Sequence, residues 1–87
     1  MKKHKMNASN WSGKDVDYWV YENGDLGVYD SRFKFSESTV GDDIFWKFDG
    51  LCEVLKDRNE FVAFSGDISR EGSTVHEAAA KLASNIL

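Results

Sequence analysis

The chain has 87 residues, of which 41% are hydrophobic, 14% aromatic and 30% charged; this is one small folded domain, neither multidomain nor disordered. With no proline and a single cysteine, Cys52, it is not collagen-like, proline-rich or a disulfide-stapled secreted scaffold, so a reducing, cytoplasmic setting in a bacterial cell is expected. No apolar run approaches the ~18 residues of a membrane span and no apolar stretch follows the N-terminal lysines, which points to a soluble protein without membrane contact.

The net charge of −4 is unevenly spread. Residues 1–14 carry only Lys2, Lys3, Lys5 and Lys14, a charge of +4, whereas residues 15–87 hold seven basic and fifteen acidic residues, a charge of −8. The first segment is polar and without periodicity, which predicts a flexible basic arm anchored at Trp11, followed by a single acidic domain over 15–87. A field of that sign repels phosphates and attracts basic surfaces, so a basic protein or ribonucleoprotein complex is the expected partner and direct nucleic-acid contact is disfavoured.

In chain order, Val16 to Tyr21 and Leu26 to Tyr29 are β-branched and aromatic runs around Asn23-Gly24, which predicts a hairpin with a two-residue turn. Its register would pair Tyr21 with Leu26, Trp19 with Val28 and Tyr18 with Tyr29. Trp19, Tyr21, Leu26 and Val28 then share one face, and Tyr18, Val20 and Tyr29 the other. Arg32 to Phe35 continues the second strand or forms a third. Between Asp42 and Asp57 the apolar residues Ile44, Phe45, Phe48, Leu51, Cys52 and Leu55 recur at the helical period, predicting a helix with Asp42 and Asp43 in its first turn. Phe61 to Phe64 reads as a strand buried on both faces, and Thr74-x-x-Glu77 fits a capping box that opens a final helix lined by Val75, Ala79, Leu82 and Ile86. The order β-β-(β)-α-β-α predicts an α+β two-layer sandwich: an antiparallel sheet of three to four strands with two helices on one face.

The stretch from Phe33 to Ile86, with its expected tryptophan-bearing helix, aromatic strand and terminal STVHEAAAKLASNIL helix, resembles small phage-encoded α/β accessory proteins, and the chain is similar in size, acidity and lack of catalytic motifs to anti-CRISPR proteins. The resemblance covers about two thirds of the chain. It implies an inhibitor of a host defence complex and assigns no role to any numbered residue.

The residues themselves offer little chemistry. His4, His76 and Cys52 have no zinc spacing; Cys52 reads as a small buried hydrophobe, and His76 as a surface residue at a helix start. The pairs Asp15/Asp17 and Asp42/Asp43 fit solvation and capping better than a catalytic cleft. The glycines match neither a phosphate loop nor a dinucleotide fingerprint. No enzyme activity, metal or cofactor is expected. On a helix over 42–57, however, Asp42, Trp46, Asp49, Glu53 and Asp57 would form one outward stripe, four acids around a tryptophan of the kind enriched at interfaces. The expectation is therefore a non-enzymatic inhibitor that covers a basic, nucleic-acid-binding surface of a host nuclease complex. An antidote covering a toxin's cationic active site needs the same complementarity. A different class, a single-strand nucleic-acid binder, would use Tyr18 and Tyr29 on the open sheet face.

Overall fold

The computed structural model describes residues 2–6 and 16–86, and for Lys2–Met6 and Val16 only the backbone is considered. Expectations that fall on residues 7–15, Trp11 and Asp15 among them, lie outside the described residues.

The described chain is mostly antiparallel sheet. Strands β1 (Lys2–Met6), β2 (Val16–Val20), β3 (Leu26–Val28) and β4 (Ser31–Phe33) form one four-stranded meander. Strands β5 (Phe35–Val40), β6 (Asp43–Phe48), β7 (Cys52–Asp57), β8 (Glu60–Ser65) and β9 (Ile68–Gly72) form a second, of five strands. Helix α1 (Val75–Ile86) closes the chain and packs on β7, β8 and β9 and also on β2 and β3. Tyr18, Leu26 and Val28 of the first sheet, Phe48, Val54 and Ala63 of the second, and Ala78, Ala79, Leu82 and Ala83 of α1 belong to one shared core. The two-helix α+β sandwich is thus replaced by two meanders joined through one helix. The basic segment contributes a strand as well: Lys2–Met6 pairs with Val16–Val20, with Lys3 opposite Trp19 and Lys5 opposite Asp17.

The helix expected over 42–57 is the β6–β7 hairpin, turning through Asp49-Gly50-Leu51, with Gly50 at φ 82°. Its apolar residues lie on both faces of the sheet, so the period of two is masked. Phe48 and Val54 point to α1, while Phe45 and Leu55, paired in register, point away. Phe61 to Phe64 lies within strand β8 as expected, but only Ala63 is fully buried.

The first hairpin is longer at its turn than Asn23-Gly24 suggests. Tyr21 and Asp25 close a three-residue loop, with Tyr21 N donating to Asp25 O (3.0 Å) and Gly24 N to Tyr21 O (2.9 Å). Gly24 has φ 94°, the left-handed residue that such loops need. One extra loop residue slips the register by one and exchanges the faces. Val20 pairs with Leu26, Trp19 with Gly27 and Tyr18 with Val28; Tyr18, Leu26 and Val28 are buried, and Trp19 and Tyr21 take the outer side.

Each two-residue turn opens on a left-handed residue: Tyr29 (φ 54°), Gly41 (φ 64°), Arg58 (φ 59°) and Gly66 (φ 59°). Asp or Asn follows in every case. Glycine meets this conformation at little cost, whereas a tyrosine there is strained by roughly 1–2 kcal/mol.

The helix starts where its capping signal places it. Glu77 N donates to Thr74 Oγ1 (3.0 Å), while the Glu77 carboxylate is taken by the Ser73 hydroxyl (2.7 Å) and by Lys81 (3.3 Å) one turn on. His76, in the first turn, is more than a surface residue. Its Nε2 donates to Gly24 O (2.6 Å), and its ring lies against Phe35 and Phe48 at 5.3 and 5.2 Å between centroids. It ties α1 to the β2–β3 loop.

Candidate functional site: the outer face of the five-stranded sheet

Alternation along β5–β9 gives the larger sheet two unlike faces. One is the α1 side. The other carries a register row of Ser38, Phe45, Leu55, Val62 and Glu71, and beside it a row of Ser36, Lys47, Glu53, Phe64 and Ser69. Leu55 is 43% exposed and Val40, at the edge, 64%; Phe45, Val62 and Phe64 are half-buried and none belongs to the core. No described element covers this face. Its ionisable residues are Asp43, Glu53, Asp57, Glu60 and Glu71 against Lys47 alone, so an apolar centre sits in a strongly acidic rim.

At one end the acids crowd each other. The Glu60 carboxyl, which shares a hydrogen bond with Glu71 and repels its charge, raises the Glu71 pKa, and Asp57 adds to the effect. A glutamate raised in this way contributes stability that is present below its ordinary value of 4.5 and is lost as pH rises through the higher folded value. Glu71→Gln should therefore be more stable than wild type at pH 7 and should lose the part of the stability gain that wild type shows on acidification toward pH 4.5. Urea midpoints at the two pH values measure this; equal pH dependence in both proteins would show that the crowding has no energetic weight.

The five residues expected on one helical stripe are not brought together. Glu53 and Asp57 stand on the outer face of β7, exposed. Asp42 lies in the β5–β6 turn and Asp49 in the β6–β7 turn, where its amide donates to Lys34 O (2.9 Å). Trp46 is on the α1 side, half-buried, with Nε1 donating to Glu37 Oε1 (2.9 Å) and its ring edge-on to Phe61 at 5.4 Å. It is a partly covered margin of the core and not the anchor of an acidic stripe. Of the two tyrosines expected on an open face, Tyr18 is 5% exposed; burial, and then the charge of Glu77, push its phenol upward against the Thr74 hydrogen bond. Tyr29 is exposed, 40%.

Of the apolar members of the outer face, Phe45 and Leu55 were hidden by a helical period, and Val62 and Phe64 by the expectation of a strand buried on both faces. The signal that would have found the first two is the Asp49-Gly50 turn, which cuts that period in two. Cys52 is buried, and burial, with Glu53 adding to it, pushes its thiol up to about 12, far from the range of a nucleophile. Among the described residues no group of His, Cys, Asp and Glu side chains is arranged to hold a metal ion, and no helix is long and apolar enough to cross a membrane. A scan of protein-family models and searches of curated proteins and of solved structures each find no match.

Proposed function

We propose that the protein is a non-enzymatic binding module whose β5–β9 outer face docks on a basic protein surface, and that it acts as an inhibitor when that surface is one that holds nucleic acid in a host nuclease complex. The observation that supports this reading is the juxtaposition of Phe45, Leu55, Val62 and Phe64 with five acids and one lysine on a face that no described element covers. An apolar centre supplies the buried contact area, and the acidic rim selects and steers a cationic partner. The rim makes association dependent on salt, and the centre sets the dissociation rate.

Leu55→Arg tests this directly. Leu55 is exposed and outside the core, so the free protein should keep its stability within about 0.5 kcal/mol. Binding should weaken about 30-fold, the consequence of losing a 2 kcal/mol anchor. The measurement is capture from a nuclease-treated host lysate by wild type and variant, followed by titration of the captured protein and of its displacement from nucleic acid. A partner that binds both proteins equally, or that keeps its nucleic acid when bound, would overturn the reading.

A further inference from the structure

A strand at the edge of a sheet presents unpaired backbone N–H and C=O groups, and folded chains guard such edges with lysine or proline, with bulges, by brevity, or with a packed element. Three of the four edges here are guarded in these ways. Strand β1 carries Lys2, Lys3 and Lys5; β4 is three residues long and holds Arg32; β9 holds Arg70 and packs against α1. Strand β5 has none of these protections. Its six residues include no lysine, arginine or proline and run in unbroken register with β6. Ser36 to Val40 are all exposed, and among the described residues only β6 pairs with this strand.

The register says which backbone groups the edge offers. The turn at Gly41-Asp42 makes Val40 and Asp43 the hydrogen-bonded pair that closes the β5–β6 hairpin. Alternation gives Ser36 and Ser38 to the same ladder and turns the backbone of Phe35, Glu37 and Thr39 toward the open side. The Phe35 amide agrees, since it donates to Asp25 Oδ1 (3.0 Å). Among the described residues no group takes the outward N–H and C=O of Glu37 and Thr39. The only charged side chain of β5, that of Glu37, is drawn to its own sheet by Trp46 Nε1 (2.9 Å).

We propose that β5 pairs antiparallel with β5 of a second copy of this chain, about a two-fold axis at Ser38. Glu37 of each copy then faces Thr39 of the other, and each such pair exchanges both of its hydrogen bonds. Ser38 meets Ser38, and Ser36 meets Val40, on the outer face. The same register sets Lys34 of each copy opposite Asp42 of the other; both residues are exposed, and opposite charges at facing positions favour pairing. An axis at Glu37 would instead set the two glutamates against each other and require the Phe35 amide, which Asp25 already holds. An axis at Thr39 would leave Glu37 facing the Gly41 turn. The edge is thus complementary to itself in the Ser38 register. Because each copy spends its own β5, the contact closes as a dimer and leaves only guarded edges outside. This goes beyond the docking face, since Leu55 and its neighbours take no part in the pairing.

The test is sedimentation equilibrium of the full chain from about 5 to about 500 µM, the range suited to a one-strand contact smaller than the ~1,200 Å² of a standard interface. The mass should rise from monomer to dimer and no further. Thr39→Pro removes an outward N–H that β6 does not use, so the monomer should keep its melting temperature while dimerisation weakens at least about 30-fold. Ser38→Lys and Ser38→Glu should each be monomeric, because like charges meet on the axis, and an equimolar mixture of the two should recover the dimer. Leu55→Arg, on β7, should dimerise as wild type does, so this inference and the docking reading fail separately. A chain that stays monomeric throughout or grows beyond a dimer, undiminished dimerisation of Thr39→Pro, or lysine and glutamate variants that do not restore each other overturns the proposal.

Discussion

Gly72→Ala should unseat the terminal helix. Gly72 ends β9, and a methyl group added there would sit 2.5 Å from the Ala78 nitrogen, 2.9 Å from its Cα and 3.1 Å from the Glu77 carbonyl carbon. All three are backbone atoms of α1, so no rotamer change relieves the contact and the whole first turn must lift. That turn also carries the Thr74 cap and the His76 bond to Gly24, and beyond it Ala78, Ala79, Leu82 and Ala83 are packed without residual exposure. Overpacking of this kind costs about 3 kcal/mol. In a domain of this length that corresponds to a fall in melting temperature of about 15 °C. Thermal unfolding followed by circular dichroism checks it, and a variant that melts with wild type would show that α1 does not rest on β9.

Asp25→Asn should loosen the junction between the two sheets although its shape is conserved. Asp25 is 7% exposed, and both of its oxygens accept hydrogen bonds: Oδ1 from the Phe35 amide (3.0 Å) and Oδ2 from Arg32 Nε (3.0 Å). An asparagine can accept at one oxygen only and turns an amine toward the other donor, leaving a buried pair of donors face to face. The Phe35 amide holds the Asp25 carboxyl below the usual aspartate range, against the opposing effect of burial and with help from Arg32. A depressed carboxyl contributes stability that is present above its unfolded value of 3.8 and is lost as pH falls through the lower folded value. Asp25→Asn should therefore lower the melting temperature by about 10 °C at pH 7 and reduce the acid sensitivity seen below pH 4. Faster hydrogen exchange at the Phe35 amide would locate the damage, and unchanged exchange there would exclude Asp25 as the joint.

How much of this was legible in the residues differs from element to element. Thr74 and Glu77 gave the last helix its true start because a cap is a local signal, satisfied within one turn. The segment 42–57 misled because its apolar residues serve two faces. Ile44, Phe45, Phe48, Leu51, Cys52 and Leu55 fit a helix only if Trp46 and Val54 are passed over, and both are accounted for by a strand. The turns were the better guide. Tyr29-Asp30, Gly41-Asp42, Asp49-Gly50, Arg58-Asn59 and Gly66-Asp67 recur at the spacing of about 8 to 12 residues that marks a meander. The face of the first hairpin was lost to a single loop residue, and with it the placing of Trp19, Tyr21 and Tyr18. No local rule distinguishes a two-residue from a three-residue loop around Asn23-Gly24, and the outcome rests on Asp25 being drawn back to Phe35 and Arg32.

Every strand of both meanders pairs only with its neighbours in the chain, so strand pairing requires only short loops to close and can proceed hairpin by hairpin as the polypeptide is made. The long-range contacts of the core wait for α1, which follows all nine described strands in the chain. Until it arrives, Tyr18, Leu26 and Val28 on one sheet and Phe48, Val54 and Ala63 on the other have no common cover. A chain on which α1 has not yet docked would hold secondary structure with exposed apolar surface, which makes the docking of α1 the step that commits the protein to its native state and the interval before it the moment of greatest exposure to chaperones and aggregation.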